Sequence, residues 1–129
     1  MIVVIDTNIL VSGLWKRTGN ASLLLMQILN GSFKLCYDYR IINEYKDVLN
    51  RPKFGFSPDL VNVLLDTIVY DGISVIPTPL YGINMKDEDD RPFFEVAKFC
   101  NAPLVTGNLK HFPADPLVIG LSDFCKKYF

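Results

Sequence analysis

The stretch IVVIDTN, residues 2–8, decides the fold. Ile2 to Ile5 are all β-branched and run without polar alternation, the pattern of a strand buried on both faces. Such strands belong to parallel sheets covered by helices, whose ligands bind beyond the carboxyl ends of the strands. Asp6 lies at such an end. Two readings are open from these residues alone: Asp6 delivers a carboxylate to the rim of a cleft, or Asp6 or Asn8 caps the next helix.

Strand and helix signals alternate downstream. Asn20 can cap a helix through Leu29, stopped by Asn30-Gly31. Residues 33–37 read as a second strand. A helix over about 40–50 ends at Arg51-Pro52, because proline disfavours helix in the residue before it. Ser57-Pro58-Asp59 is a helix start, with a cap, proline at the first helical position and an acid in the first turn. That helix runs to Tyr70 and turns at Asp71-Gly72. Residues 73–76 predict a third strand, and 77–85 a loop. The charged run KDEDD, residues 86–90, leads into a helix ending near Asn101. Residues 104–106 and 117–119 predict two more strands, and Ser122 caps a short terminal helix. This order predicts an α/β protein with a parallel sheet of four to five strands covered on both faces.

The 129 residues suit a single domain, residues 1–129. Half are apolar and the formal net charge is −1, so the chain is no strongly basic nucleic-acid binder. A metal can supply the positive charge that side chains do not. Cys36, Cys100 and Cys125 are widely spaced and His111 is the sole histidine, which argues against a zinc site. Free thiols predict a reducing, cytoplasmic setting. The first residues have no signal-peptide pattern, and no stretch predicts a membrane span.

The remaining acids fall at particular places. At about 100° per residue, Ile41, Ile42, Tyr45, Val48 and Leu49 share one helical face. Glu44 lies at its margin, while Asp47 points to solvent. Taken alone, Glu44 reads as an ordinary boundary residue. Phe93, Val96, Ala97 and Cys100 define the buried face of the later helix, and Asp90 projects toward it. An inward carboxylate there needs free N–H groups, a cation or a metal. Asp87, Glu88 and Asp89 read mainly as a solvated acidic loop. Thr106-Gly107-Asn108 follows the fourth strand, where Asn108 can offer a carbonyl oxygen to a metal or complete a turn. Together these oxygens suit Mg²⁺ or Mn²⁺.

Four segments carry a family resemblance: VVIDTNILVSGL (3–14), INEYKDVL (42–49), DEDDRPFFEVA (87–97) and LVTGNLKHF (104–112). In order and spacing they resemble the PIN-domain family, in particular VapC-like toxins of toxin–antitoxin pairs. The resemblance implies a three-layer α/β/α sandwich and hydrolysis of single-stranded RNA, leaving 5′-phosphate and 3′-hydroxyl ends. It implies that Asp6, Glu44 and Asp90 are the catalytic acids holding Mg²⁺ or Mn²⁺. Asn108 stands where the family often has a fourth acid, which puts a second metal in question; Asp87 and Asp89 are candidate substitutes. Thr7, Asn8, Ser12 and Thr106 match positions that shape the site. An antitoxin protein and a homodimer are the implied partners.

Two other classes compete. A PIN-like module short of one ligand would bind RNA or protein without cutting. A flavodoxin-like phosphoacceptor domain also has acids at strand ends, but would want paired acids near the first strand and a lysine after the last core strand. Substrate-contact candidates are Lys16, Arg17, Arg51, Lys53, Arg91 and Lys110 for phosphates. Trp15, Phe54 and Phe56 are candidates for base stacking or lid packing.

Overall fold

The computed structural model describes all residues, 1–129. β1 (Ile2–Ile5) is followed directly by α1 (Thr7–Trp15) and α2 (Asn20–Leu29). Then come β2 (Lys34–Tyr37), α3 (Tyr39–Leu49), α4 (Pro58–Asp71), β3 (Ile73–Ser74), α5 (Arg91–Cys100), β4 (Leu104–Thr106), β5 (Val118–Gly120) and α6 (Leu121–Tyr128). The five strands form one sheet in the order β3-β2-β1-β4-β5, and every pairing is parallel. Helices cover both faces, giving the expected three-layer α/β/α sandwich. α5 packs on β1, β2 and β4, while α2 packs against α1, α4 and α6.

β1 is the central strand, and Val3, Val4 and Ile5 are fully buried. Val3 pairs with Leu35 on one side, and Val4 and Ile5 pair with Leu104 and Val105 on the other. The chain leaves β1 toward β2 and β3, then returns to build β4 and β5 on the opposite side. The strand order therefore reverses between β1 and β4, where open α/β sheets place their ligand crevice. The flavodoxin-like order would be 2-1-3-4-5; the observed order excludes that reading.

Several local expectations are corrected. The sequence left open whether Asp6 or Asn8 caps a helix and gave that helix no bounds; α1 starts at Thr7. Asp6 occupies its N-cap position with extended backbone, but its side chain makes no capping hydrogen bond. Asn20 is the first residue of α2, and Gly19, at φ 105°, takes the cap position. Ser122 lies inside α6, capped by Gly120. β3 ends at Ser74, well before Ile76, because Pro77 and Pro79 follow and cannot donate to a ladder. Asp38 caps α3 through Ile41 N–H at 3.0 Å, a cap the sequence reading passed over.

The turn at Asp71-Gly72 shows how tightly α4 meets the sheet. Gly72 N–H donates to Ile68 O at 2.9 Å, closing the helix. A Cβ on Gly72 would stand 2.3 Å from Ile68 O and 2.6 Å from Leu35 O, both main-chain atoms. Neither can yield without shifting α4 or β2. Gly72→Ala should therefore destabilise the protein by about 1–3 kcal/mol, the usual cost of overpacking. Urea unfolding should show a lower midpoint at unchanged slope.

Candidate functional site

Asp6, Glu44 and Asp90 reach one rim from three elements. Asp6 follows β1 and is 8% exposed. Its Oδ2 accepts a 2.8 Å hydrogen bond from Thr106 Oγ1, a residue 100 positions away at the end of β4. Glu44 projects from the second turn of α3 and is half-buried. Its Oε2 accepts a hydrogen bond from Thr7 Oγ1, in the first turn of α1. Asp90 immediately precedes α5. Its Oδ2 is buried and accepts no hydrogen bond; His111 Nδ1 stands 3.4 Å away.

All three carboxyls titrate above their ordinary range. Burial raises Asp6, opposed by hydrogen bonds from Thr106 and the Thr7 main chain and by His111. Burial also raises Glu44; the Thr7 hydroxyl opposes it, and Asp6, Asp89 and Asp87 add repulsion. Asp90 is pushed up to about 6, by burial first and then by Asp6 and Asp87, with Glu44 adding to the rise and His111 opposing it. Buried acids that repel one another across a common space lower their energy by protonating or by meeting a cation.

No three Asp, Glu, His or Cys side chains are gathered closely enough to hold a metal ion. Two hydroxyls engage the acids: Thr106 bonds Asp6, and Thr7 bonds Glu44. The donor set itself fits a hard divalent cation, since Asp6, Glu44 and Asp90 all offer carboxylate oxygens and one of these, on Asp90, is buried without a partner.

The other expected residues divide. Thr7 and Thr106 touch the acids. Asn8 and Ser12 are exposed on α1. Asn108 is exposed as well; its main-chain N–H donates to Thr106 Oγ1 at 3.0 Å, so it steadies the hydroxyl that steadies Asp6. Asp87 accepts from Asp89 N–H and orders the acidic turn. Asp47 is solvated and pairs with Arg51 at 3.0 Å. Trp15, Phe54 and Phe56 pack on one another, with Phe54 and Phe56 stacked at 5.6 Å.

Sequence reasoning missed a second charged group beside the rim. Arg40 binds Asp38 at 2.7 Å and Glu95 at 2.8 Å, and both acids are almost fully buried. Glu95 also accepts from Leu80 N–H at 2.7 Å. Arg91 donates to the carbonyls of Leu80 and Ile83 and pairs with Glu88. The one available signal was a glutamate within an otherwise apolar run, FFEVA (93–97).

A family model described as PIN domain matches residues 2–110. No curated protein and no solved structure matches the chain. No helix is long and apolar enough to cross a membrane.

The raised pKa of Asp90 has a measurable consequence. A carboxyl that titrates higher in the folded protein than in the unfolded chain favours folding below pH 4 and loses that contribution as pH rises toward 7. Asn keeps the shape without the charge. In chelator, the thermal midpoint of Asp90→Asn should match the wild type near pH 4 and exceed it near pH 7. The difference should grow between pH 4 and pH 6 and level off above pH 6.

Proposed function

We propose, from the premise that the chain belongs to the PIN-domain family, that it is a metal-dependent endoribonuclease acting on single-stranded RNA. PIN domains are generally nucleases, and they typically use divalent metals. One observation carries the reading: three carboxylates from β1, α3 and α5 repel one another at the crevice between β1 and β4, and one buried oxygen among them lacks any hydrogen bond.

Asp6, Glu44 and Asp90 would hold Mg²⁺ or Mn²⁺. The ion would supply a water of lowered pKa and would neutralise charge on the phosphoryl oxygens. The chain's own residues orient this chemistry. Thr106 fixes Asp6, and Asn108 N–H fixes Thr106. Thr7 holds Glu44 at the rim. His111 Nδ1 stands 3.4 Å from Asp90 Oδ2, at the same rim.

The toxin reading and its partners belong to the same proposal. α2 and α4 leave Leu23, Met26, Leu60, Val63 and Tyr70 exposed, apolar surface suited to an antitoxin or to a second copy in a homodimer. Three free cysteines fit the reducing cytoplasm.

The second reading is a binding module that has lost catalysis. Asn108 in place of an acid and the absence of a gathered metal cluster favour it. Calorimetric titration with Mn²⁺ separates the two, since a pure scaffold takes up no ion specifically.

Purified protein should cut single-stranded RNA with Mn²⁺ or Mg²⁺ and stop with chelator. Asp6→Asn and Asp90→Asn should each lower cleavage more than about 100-fold, beyond the range expected for losing an outer partner. Thr106→Val, which removes only a positioning hydroxyl, should cost about 10–100-fold. Circular dichroism should show all three folded. Undiminished cutting by both aspartate variants would overturn the metal role.

A further inference from the structure

A pocket of about 560 Å³ opens beside the acidic rim. Its walls are the start of α3 at Asp38 to Arg40, the 75–82 loop after β3, and the Arg91 and Glu95 side of α5. We propose that this pocket is a subsite for one unpaired nucleobase of the RNA strand cut at the rim. The proposal rests on the nuclease reading and extends it to substrate selection.

Position is the first argument. The pocket lies at the carboxyl ends of β2 and β3, as the acidic crevice lies at those of β1 and β4. Asp90 and Arg91 are consecutive, yet Asp90 belongs to the rim and Arg91 lines the pocket. A strand crossing the N-terminal end of α5 would therefore have its phosphate on one side and a neighbouring base on the other.

Charge is the second. Arg40 is neutralised by Asp38 and Glu95, and Arg91 by Glu88. The walls carry two arginines and two acids, each with an ion partner, a balance that suits a neutral planar ring better than a phosphate or an ionic side chain.

Shape is the third. Arg91 and Glu95 together hold the main chain of Leu80 and Ile83, so the loop wall is fixed before any ligand arrives. The volume lies within the range of small-ligand pockets. Tyr39, Ile76 and Tyr81 line it and are 75%, 93% and 90% exposed. Aromatic and apolar surface presented in this way stacks on bases regardless of their identity.

The test uses the full chain and a labelled single-stranded RNA, with binding read by fluorescence anisotropy in chelator. Tyr81→Ala should weaken binding about tenfold, the loss typical of removing one stacking ring. A series of oligonucleotides with one abasic position moved along the strand should show one position where wild type loses about tenfold and Tyr81→Ala loses nothing further. Equal binding at every abasic position overturns the subsite. If the protein then still cleaves RNA, the nuclease reading stands without it. Position-dependent binding without cleavage under Mn²⁺ keeps the subsite and removes the nuclease. A Tyr81→Ala variant that binds RNA normally but changes oligomeric state in analytical ultracentrifugation also overturns the proposal, since the pocket would then be a protein interface.

Discussion

The burial of Asp6 is the constraint on which the rest of this structure turns. A carboxylate beyond the central strand of a doubly covered sheet has little access to water, and its ionised form is costly unless something answers the charge. Thr106 answers part of it with one hydrogen bond. That bond exists because β1 and β4 are parallel neighbours with Ile5 opposite Val105, so Asp6 and Thr106 leave the sheet side by side. The alternation of strand and helix, the order of the strands and the reversal between β1 and β4 all lead to this one contact.

Two charged groups lie on the same edge of the molecule and follow opposite rules. In one, Asp38, Arg40 and Glu95 satisfy one another, and Leu80 N–H completes the set. In the other, Asp6, Glu44 and Asp90 all carry the same sign, and Asp90 has no hydrogen bond to its buried oxygen. A closed network rigidifies its surroundings, whereas an unsatisfied one stores a preference for a positive ligand. The start of α5 separates them. Satisfied and unsatisfied electrostatics are thus kept one residue apart, at Asp90 and Arg91.

Much of this was legible in the sequence because it is local. The uninterrupted Ile2–Ile5 run identified a strand buried on both faces, and the 3.6-residue period of α3 put Glu44 at the edge of the buried side. The inward direction of Asp90 followed from the same periodicity in α5. What escaped depends on partners far away. The Arg40–Glu95 pair spans 55 positions, and nothing near either residue announces the other. The proximity of His111 to Asp90 arises from the path after β4, which carries no strong helical signal. α1 escaped because its residues, Thr7 to Trp15, contain β-branched and glycine positions of weak helix propensity. It forms because Gly13 lets α1 approach α2, where a Cβ would stand 2.9 Å from Ala21 O.

The hundred-residue separation between Asp6 and Thr106 also governs when the molecule becomes itself. β1 leaves the ribosome before both of its neighbours, and β4 is made only after α1 to α5. Until then its apolar flank has no strand to pair with, a slow and exposed arrangement for a parallel sheet. The crevice is completed only once β4 and Thr106 have been made. A growing polypeptide therefore carries Asp6 and Glu44 well before Thr106 exists to fix Asp6, and synthesis itself delays assembly of the rim.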